Sequence, residues 1–421
     1  MGKSLNNCHL NQATGISVSN NIIFVSTEDS KDIFTIEVDR DLMTCCGGEV
    51  EPLFNINNVT ENNSNECRSN GECGLDIEFG SLKEREIDWG EYKQRPIDVI
   101  LEDRYNPGVF YINSRTTIKR YVPGQPITLL LGDEMQPDVN QGFQDGHRSV
   151  AKFSLISGIL QFNQTKMAIA DFQNACVRLY DFATENVSTI IGFCDSFGRG
   201  KVPNSWEEYD ENTVKASLDA QFSGILAILY LEKTNKMLVV DNAYKMIVEN
   251  DFATEKTRAL NPALRRKCPR PVHIIADREE NHIYINHAYG VSRYNLHTKD
   301  IKLLFGFIDE TETGESHIDL VPGPFSSAQT GALDSLSWLV RDQVLVAMGR
   351  LDNEAIVIVD LIQEQVYSIC DGKLVLDPRY IIFGNSSAGV YASKIFRKFQ
   401  SFIALWDYYH KAFCQTYLRL F

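Results

Sequence analysis

The chain has 421 residues, of which 43% are hydrophobic and 23% are charged, and its formal net charge is −15. The hydrophobic content is sufficient for a buried core and excludes global disorder. The acidic balance argues against a general phosphate-binding surface, because proteins that bind nucleic acid usually carry a basic footprint. We therefore expect no nucleic-acid partner.

Short apolar runs recur along the chain in units that open at residues 15, 98, 158, 224, 273 and 335. Each unit contains a small or turn-forming residue, a short apolar run, a polar gap and further apolar runs. The runs are four to seven residues long and rich in Val, Ile, Tyr and Phe, which is typical of β-strands separated by turns. No stretch before residue 390 keeps a 3.6-residue period over three turns, so helices are not expected there.

Residues 95–132 and 270–306 are two copies of one pattern, since each begins with Arg-Pro, continues to Tyr-Ile-Asn and then Arg-Tyr, and ends in Gly. Similar units of this size predict a β-propeller, in which four-stranded antiparallel blades bury their faces against one another. We predict an all-β, six-bladed propeller over residues 1–392, with an insert at 49–94 between the first and second blades. Residues 380–399 contain further apolar runs that could form a seventh blade or close the ring.

The third unit resembles an NHL repeat in Asp145-Gly146, Ala151-Lys152-Phe153, Ser157-Gly158-Ile159, Ala170-Asp171, Asn174 and Val177-Arg178. The fourth resembles it at Ser223-Gly224-Ile225 and Val240-Asp241-Asn242, although Val248-Glu249 replaces the usual Ile-Arg. The resemblance covers roughly residues 13–372. It implies a propeller whose first strands line a central channel, and it implies little about function.

One channel position differs between units in a way that matters chemically. When the units are aligned by the residues that open them, the position that is Gly in units one, three and four is Asp98 in unit two and His273 in unit five. Some NHL-like propeller enzymes, among them peptide amidating lyases and lactonases, use zinc or calcium in the channel. The resemblance therefore makes Asp98 and His273 candidate metal ligands of a channel-centred hydrolase or lyase.

A simpler interpretation is that Asp98 and His273 are polar channel residues. They would lie on opposite blades, too far apart to share an ion whose ligands sit about 2.0–2.2 Å away. The sequence also lacks Gly-x-Ser-x-Gly and His-Glu-x-x-His motifs, which mark common hydrolase sites. We therefore predict no catalytic residue and no cofactor.

Cysteines and Asn-x-Ser/Thr motifs suggest an oxidising compartment. Candidate glycosylation sites are Asn58, Asn62, Asn163, Asn186 and Asn385. Cys67 and Cys73 flank a polar turn and predict a small disulfide, and Cys176 and Cys194 bracket two strands that a second disulfide could join. The alternative is that Cys176 and Cys194 are buried small hydrophobic residues.

The compartment is not fixed by these features alone. The first ten residues lack the apolar core of a signal peptide, and no 18-residue apolar span is present. We expect an extracellular protein or the ectodomain of a larger one, with a cytoplasmic protein as the alternative.

Residues 393–421 form an aromatic-rich tail whose Phe and Trp side chains recur at helical spacing. We predict a short C-terminal helix that packs on the propeller, although it could instead contact a partner or a membrane surface, or be read through from an intron.

Taken together, the sequence favours a non-enzymatic interaction module that binds a protein or glycan partner through its loops.

Overall fold

A computed structural model describes residues 13–19, 22–27, 33–38, 40–41, 53–54, 79–85, 99–132, 142–194, 214–241, 244–287, 289–308, 320–331, 333–349 and 355–369. Several predictions concern residues outside these ranges: Asp98, Cys67, Cys73, Asn58, Asn62, Asn385, the tail at 393–421 and the candidate seventh blade.

The described residues form six antiparallel sheets of four or five strands, here called blades 1 to 6 in chain order. Blade 1 contains Ala13–Ser19, Ile22–Thr27, Ile33–Val38 and Phe79–Arg85. Blade 2 contains Val99–Glu102, Phe110–Ser114, Thr117–Tyr121 and Thr128–Leu131. Blade 3 contains Ile156–Asn163, Lys166–Asp171, Cys176–Asp181 and Asn186–Ile191.

Blade 4 contains Ile225–Leu231, Lys236–Asp241, Met246–Asp251 and Lys256–Ala259. Blade 5 contains His273–Ala276, His282–His287, Gly290–Asn295 and Ile301–Gly306. Blade 6 contains Leu333–Val340, Val344–Gly349, Ile356–Asp360 and Gln365–Ile369. The described helices are a single turn at Leu264–Lys267 and a 3-10 turn at Ser217–Asp219, and neither is long and apolar enough to cross a membrane.

The blades close into a ring around a channel. The first strand of each blade contacts the first strand of the next, and that of blade 6 contacts that of blade 1. The closing contact is apolar, with Ile16 and Ile23 of blade 1 packed against Val346 and Ile358 of blade 6. The prediction of an all-β, six-bladed propeller is confirmed for the described residues.

Three blades have more strands than the four predicted. A short fifth strand pairs with the outermost strand of blades 3, 4 and 6, and these strands are Gly146–His147, Val214–Ala216 and Gly323–Pro324. Each comes from the segment that leads into the same blade. The segment satisfies the backbone groups that the outer edge would otherwise expose.

The predicted insert is also shorter than expected. Residues 79–85, which the sequence assigned to it, form the fourth strand of blade 1 and pair with Ile33–Val38. Leu53–Phe54 pairs with Arg40–Asp41 in a separate two-stranded ribbon. The additional chain therefore lies between the third and fourth strands of blade 1.

The second strands show why short apolar runs suit this fold. Val344–Gly349 is buried at every position, and Lys166–Asp171 and Lys236–Asp241 are buried at all but the first. A strand that is covered by a neighbouring blade on each face buries both sets of alternating side chains, so its sequence is continuously apolar.

Candidate functional site

The turns between first and second strands lie at one end of the channel, and polar side chains there link the blades. Ser19 Oγ of blade 1 donates to Glu102 Oε1 of blade 2 over 2.5 Å. The Arg104 backbone N–H donates to Gln161 Oε1 of blade 3 over 2.8 Å, and Gln161 Nε2 donates to Asp103 Oδ1 over 2.9 Å. We call these turns and their links the first-turn ring.

The first-turn ring continues through blades 4, 5 and 6. The Arg104 guanidinium of blade 2 pairs with Glu232 of blade 4 and so passes the short turn of blade 3. The Glu280 carboxylate of blade 5 accepts the Glu232 N–H over 2.6 Å. The Arg278 N–H donates to Asp342 Oδ1 of blade 6 over 2.7 Å. These polar groups stabilise the ring of blades.

Asp103 fixes the shape of the blade 2 turn. Its carboxylate accepts the N–H groups of Tyr105 and Asn106, over 2.9 Å and 3.1 Å, and the Tyr111 hydroxyl over 2.9 Å. Burial raises the pKa of Asp103, but hydrogen bonds from Gln161, Asn106 and Tyr105 outweigh it and bring the pKa below its ordinary value. The ionised carboxylate therefore acts as a structural acceptor.

The strand register revises the alignment of the candidate metal ligands. His273 pairs with Asn286, and Val99 pairs with Asn113, the equivalent asparagine of blade 2. The position that corresponds to His273 is therefore Val99, and Asp98, one residue earlier, lies outside the described residues. The Arg-Pro and Tyr-Ile-Asn sequences lie two residues further apart in unit two than in unit five. The first turn of blade 2 is only one residue longer than that of blade 5, so the other additional residue precedes Val99.

His273 makes one hydrogen bond within blade 5 and one contact with blade 6. Its backbone N–H donates to Asn286 Oδ1 over 2.5 Å, and its Nδ1 faces the Leu336 N–H at 3.4 Å. The residue is partly accessible to solvent, but protein atoms surround its imidazole ring. This burial of the ring lowers the pKa of His273 to about 4. The imidazole is neutral and Nδ1 is the acceptor, which puts the proton on Nε2.

That arrangement differs from a usual metal site, where the second ring nitrogen of a ligating histidine donates its N–H to an oxygen acceptor. Within the described ranges, no group of three or more His, Cys, Asp or Glu side chains is placed to hold a metal ion. Among the residues that the structure describes, His273 therefore does not belong to such a group.

Sequence motifs did not reveal a serine–histidine–carboxylate group on the surface of blade 3. His147 Nδ1 lies 2.9 Å from Ser149 Oγ, and its Nε2 lies 3.2 Å from Glu185 Oε2. However, the N–H groups of Val150 and Ala151 both donate to the His147 carbonyl oxygen, over 2.8 Å and 3.0 Å. Those two donors cannot stabilise an oxyanion, and we assign no catalytic role to Ser149.

The residues that resemble an NHL repeat form a buried ionic network in blade 3. Arg178 is fully buried and donates to Asp171 over 3.0 Å and, through Nε, to Asp145 over 2.9 Å. Its guanidinium also lies over the rings of Phe143 and Phe153, at 4.7 Å and 5.1 Å from their centroids. These residues hold the blade together.

The predicted disulfide between Cys176 and Cys194 is confirmed. Cys176 opens the third strand of blade 3, Cys194 follows the fourth strand, and their Cα atoms are 5.2 Å apart. Cys268 is the free thiol among the described cysteines, and burial raises its pKa to about 12. Such a thiol is unreactive at neutral pH.

The residue before Cys194 is an exposed phenylalanine. Phe193 is 60% exposed and Leu218 is 53% exposed. The Gly192 N–H donates to the Ser217 carbonyl over 2.8 Å, and the Phe193 N–H donates to the Ala220 carbonyl over 2.9 Å. These two bonds bracket Leu218, so its main chain runs next to that of Phe193, and we call the two exposed residues the Phe193–Leu218 patch.

Gly192 permits the turn that brings Phe193 outward. Its φ is +91°, a conformation that L side chains rarely adopt. A Cβ at this position would lie 3.0 Å from the Ala175 carbonyl oxygen and 3.0 Å from the Phe222 ring. The glycine, the backbone bonds and the disulfide together fix the position of the Phe193 main chain.

Two of the five candidate glycosylation sites lie in described residues. Asn163 is the last residue of the first strand of blade 3, and Asn186 is the exposed first residue of the fourth strand. Glycosylation of either stays a prediction.

No protein family model matches the chain, and no curated protein matches it. Similar solved structures include a protein of unknown function from Bacteroides thetaiotaomicron, with 9% identity, a TM-score of 0.48, and coverage of 86% of this chain and 70% of that one. A nidogen/laminin complex has 10% identity, a TM-score of 0.47, and coverage of 82% and 92%. A streptogramin B lyase has 10% identity, a TM-score of 0.44, and coverage of 87% and 85%.

These similarities are too distant to indicate a function. The strand topology defines the class of protein, which is a six-bladed β-propeller. The NHL likeness remains a resemblance confined to the residues quoted above.

Proposed function

We propose that this propeller is a non-enzymatic interaction module of the extracellular space, and that it binds a protein partner through the Phe193–Leu218 patch. The observation that carries the proposal is the Cys176–Cys194 disulfide, which holds a 60% exposed phenylalanine beside a 53% exposed leucine. Disulfides persist in oxidising compartments and are rare in the cytosol.

The patch has the properties of an interface hot spot. Large aromatic side chains dominate the energy of protein interfaces, and they are most effective when their position is fixed before binding. The hydrogen bonds at Gly192 and Phe193 and the adjacent disulfide supply that fixation. The leucine in this pair favours a protein partner over a glycan, because it offers a sugar neither an aromatic face for stacking nor a hydrogen-bonding group.

The test begins with a multivalent form of the protein as a probe against an array of extracellular domains. We expect at least one domain to bind, and Phe193→Ser or Leu218→Ser to weaken its affinity by about tenfold or more. Val321→Ser is the matched control, since Val321 is 44% exposed and leads into blade 6, on the opposite side of the ring. Unchanged affinity in both patch variants would overturn the proposal.

A channel-centred metal enzyme is the competing proposal, and it rests on Asp98 and His273. It requires an ion to displace the Leu336 N–H from His273 Nδ1 or to bind at Nε2. Elemental analysis of the purified protein distinguishes the two: one equivalent of zinc or calcium, lost in His273→Ala, would favour the enzyme.

A further inference from the structure

We propose that Asn163 carries an N-linked glycan and that this glycan covers the first-turn end of the channel. The proposal rests on the extracellular location proposed above, because the transferase and its donor are found in the secretory pathway. Asn163-Gln164-Thr165 has the Asn-x-Thr pattern with a residue other than proline in the middle.

The geometry of the turn leaves the reactive nitrogen unused. Asn163 Oδ1 accepts both the Thr165 N–H, over 2.9 Å, and the Thr165 hydroxyl, over 3.1 Å. Both contacts fall on the oxygen, so neither occupies Nδ2, the atom that forms the glycosidic bond. Gln164 and Thr165 are exposed, so the turn leaves room for a sugar.

The transfer step uses a lipid-linked oligosaccharide diphosphate as the donor. Asn163 Nδ2 forms a bond to the anomeric carbon, the bond from that carbon to the phosphate oxygen breaks, and Nδ2 loses one proton. The product keeps the Oδ1 lone pairs, so both Thr165 hydrogen bonds survive the modification. The folded turn therefore accommodates the glycosylated side chain without rearrangement.

The position of the turn determines what the glycan covers. Gln161, two residues before Asn163, is bonded to the Arg104 N–H in the first-turn ring. The Arg104–Glu232 ion pair joins blade 2 to blade 4 and therefore spans the turn of blade 3 that contains Gln164 and Thr165. A glycan on Asn163 would project over these side chains and over exposed Tyr105. It would shield this face from large partners and leave the Phe193–Leu218 patch free.

Asn186 offers a different setting. It pairs with Asp181 on one side and His147 on the other, so its backbone is held inside a five-stranded sheet. A residue whose strand is paired on both sides has less freedom to present its side-chain amide than one at a two-residue turn. We therefore infer higher occupancy at Asn163 than at Asn186.

The experiment expresses the chain with a secretion leader in mammalian cells and analyses the Asn163 peptide by mass spectrometry. Wild type and Thr165→Ser, which keeps the pattern, should carry glycan, and Thr165→Ala should carry none. An unmodified Asn163 in secreted, folded wild type would overturn this inference and leave the proposed function intact. Glycan on the recombinant protein but not on protein from its own cells would instead contradict the extracellular location.

Shielding is measured separately with a bulky polyethylene glycol maleimide. In Tyr105→Cys the introduced thiol should react several-fold faster when Thr165→Ala has removed the glycan. Phe193→Cys should react at the same rate with and without it. Equal rates at Tyr105→Cys in the two glycan states would overturn the claim that the glycan covers this face.

Discussion

Asn113 of blade 2 and Asn286 of blade 5 make the same contact in two different blades. Each side-chain amide donates to the carbonyl oxygen of the first residue in the next blade's first strand. Asn113 reaches Ile156 over 2.7 Å, and Asn286 reaches Leu333 over 2.9 Å. Both asparagines are fully buried, and both belong to a Tyr-Ile-Asn sequence. The repeated sequence thus encodes an interblade hydrogen bond as well as a strand.

Replacing either asparagine with alanine should destabilise the propeller by about 1–3 kcal/mol, because a buried carbonyl loses its donor. Asn286→Ala should cost more than Asn113→Ala, since Asn286 Oδ1 also accepts the His273 N–H over 2.5 Å. Urea denaturation measures both values. Gln164→Ala, at an exposed turn, is the control and should change the unfolding free energy by less than about 0.5 kcal/mol. Equal values for all three variants would contradict the assignment.

Arg178→Met should be among the most damaging single substitutions in blade 3. It would leave the fully buried Asp171 without its ion-pair partner, at a cost of about 3–5 kcal/mol. Arg258→Met is the comparison, because Arg258 is 55% exposed in its pair with Glu249 and should contribute about 0–1 kcal/mol. The free energies of unfolding of the two variants, measured by thermal or chemical denaturation, test this prediction. A similar loss in both would show that burial does not set the strength of these pairs.

Acid should weaken the fold through a buried histidine. His287 is completely buried, its Nε2 lies 3.0 Å from Ser292 Oγ, and burial lowers its pKa to about 3. The unfolded chain binds a proton near pH 6.5 and the folded chain does not. The stability that the neutral His287 contributes is therefore fully present above pH 6.5 and is lost as the pH falls from 6.5 towards 3.

The difference between wild type and His287→Asn isolates this effect, since the two proteins share their other titrating groups. The wild type should lose stability more steeply than His287→Asn between pH 6.5 and pH 4. Denaturation midpoints measured across that range provide the comparison. Parallel curves would contradict this account, because they would mean that His287 has the same pKa in the folded and the unfolded protein.

Much of the fold could be predicted from the sequence, because a propeller repeats one pattern of short apolar strands. The Cys176–Cys194 disulfide was also accessible, since its cysteines bracket two strands of one blade. The alignment of Asp98 with His273 failed by one residue, because only one of the two additional residues of unit two lies in the turn between the paired strands and the other precedes Val99.

Other features depend on contacts between distant segments. The fourth unit was aligned through Gly224, yet strand pairing makes Ala227 the counterpart of Gly158. The fifth strands of blades 3, 4 and 6 are only two or three residues long and carry no pattern of their own. The Phe193–Leu218 patch required knowledge of which backbone groups meet between blades 3 and 4.

The most direct test of the central claim, that a disulfide presents Phe193 to a partner, is the affinity of the Cys176→Ala/Cys194→Ala variant for the partner found with wild type. Removing the disulfide should cost about 2–4 kcal/mol of stability, so binding is measured at a temperature where both proteins are folded. We predict an affinity several-fold to tenfold weaker, mainly through faster dissociation, because Phe193 loses its fixed position. An unchanged dissociation constant in the folded variant would contradict the claim.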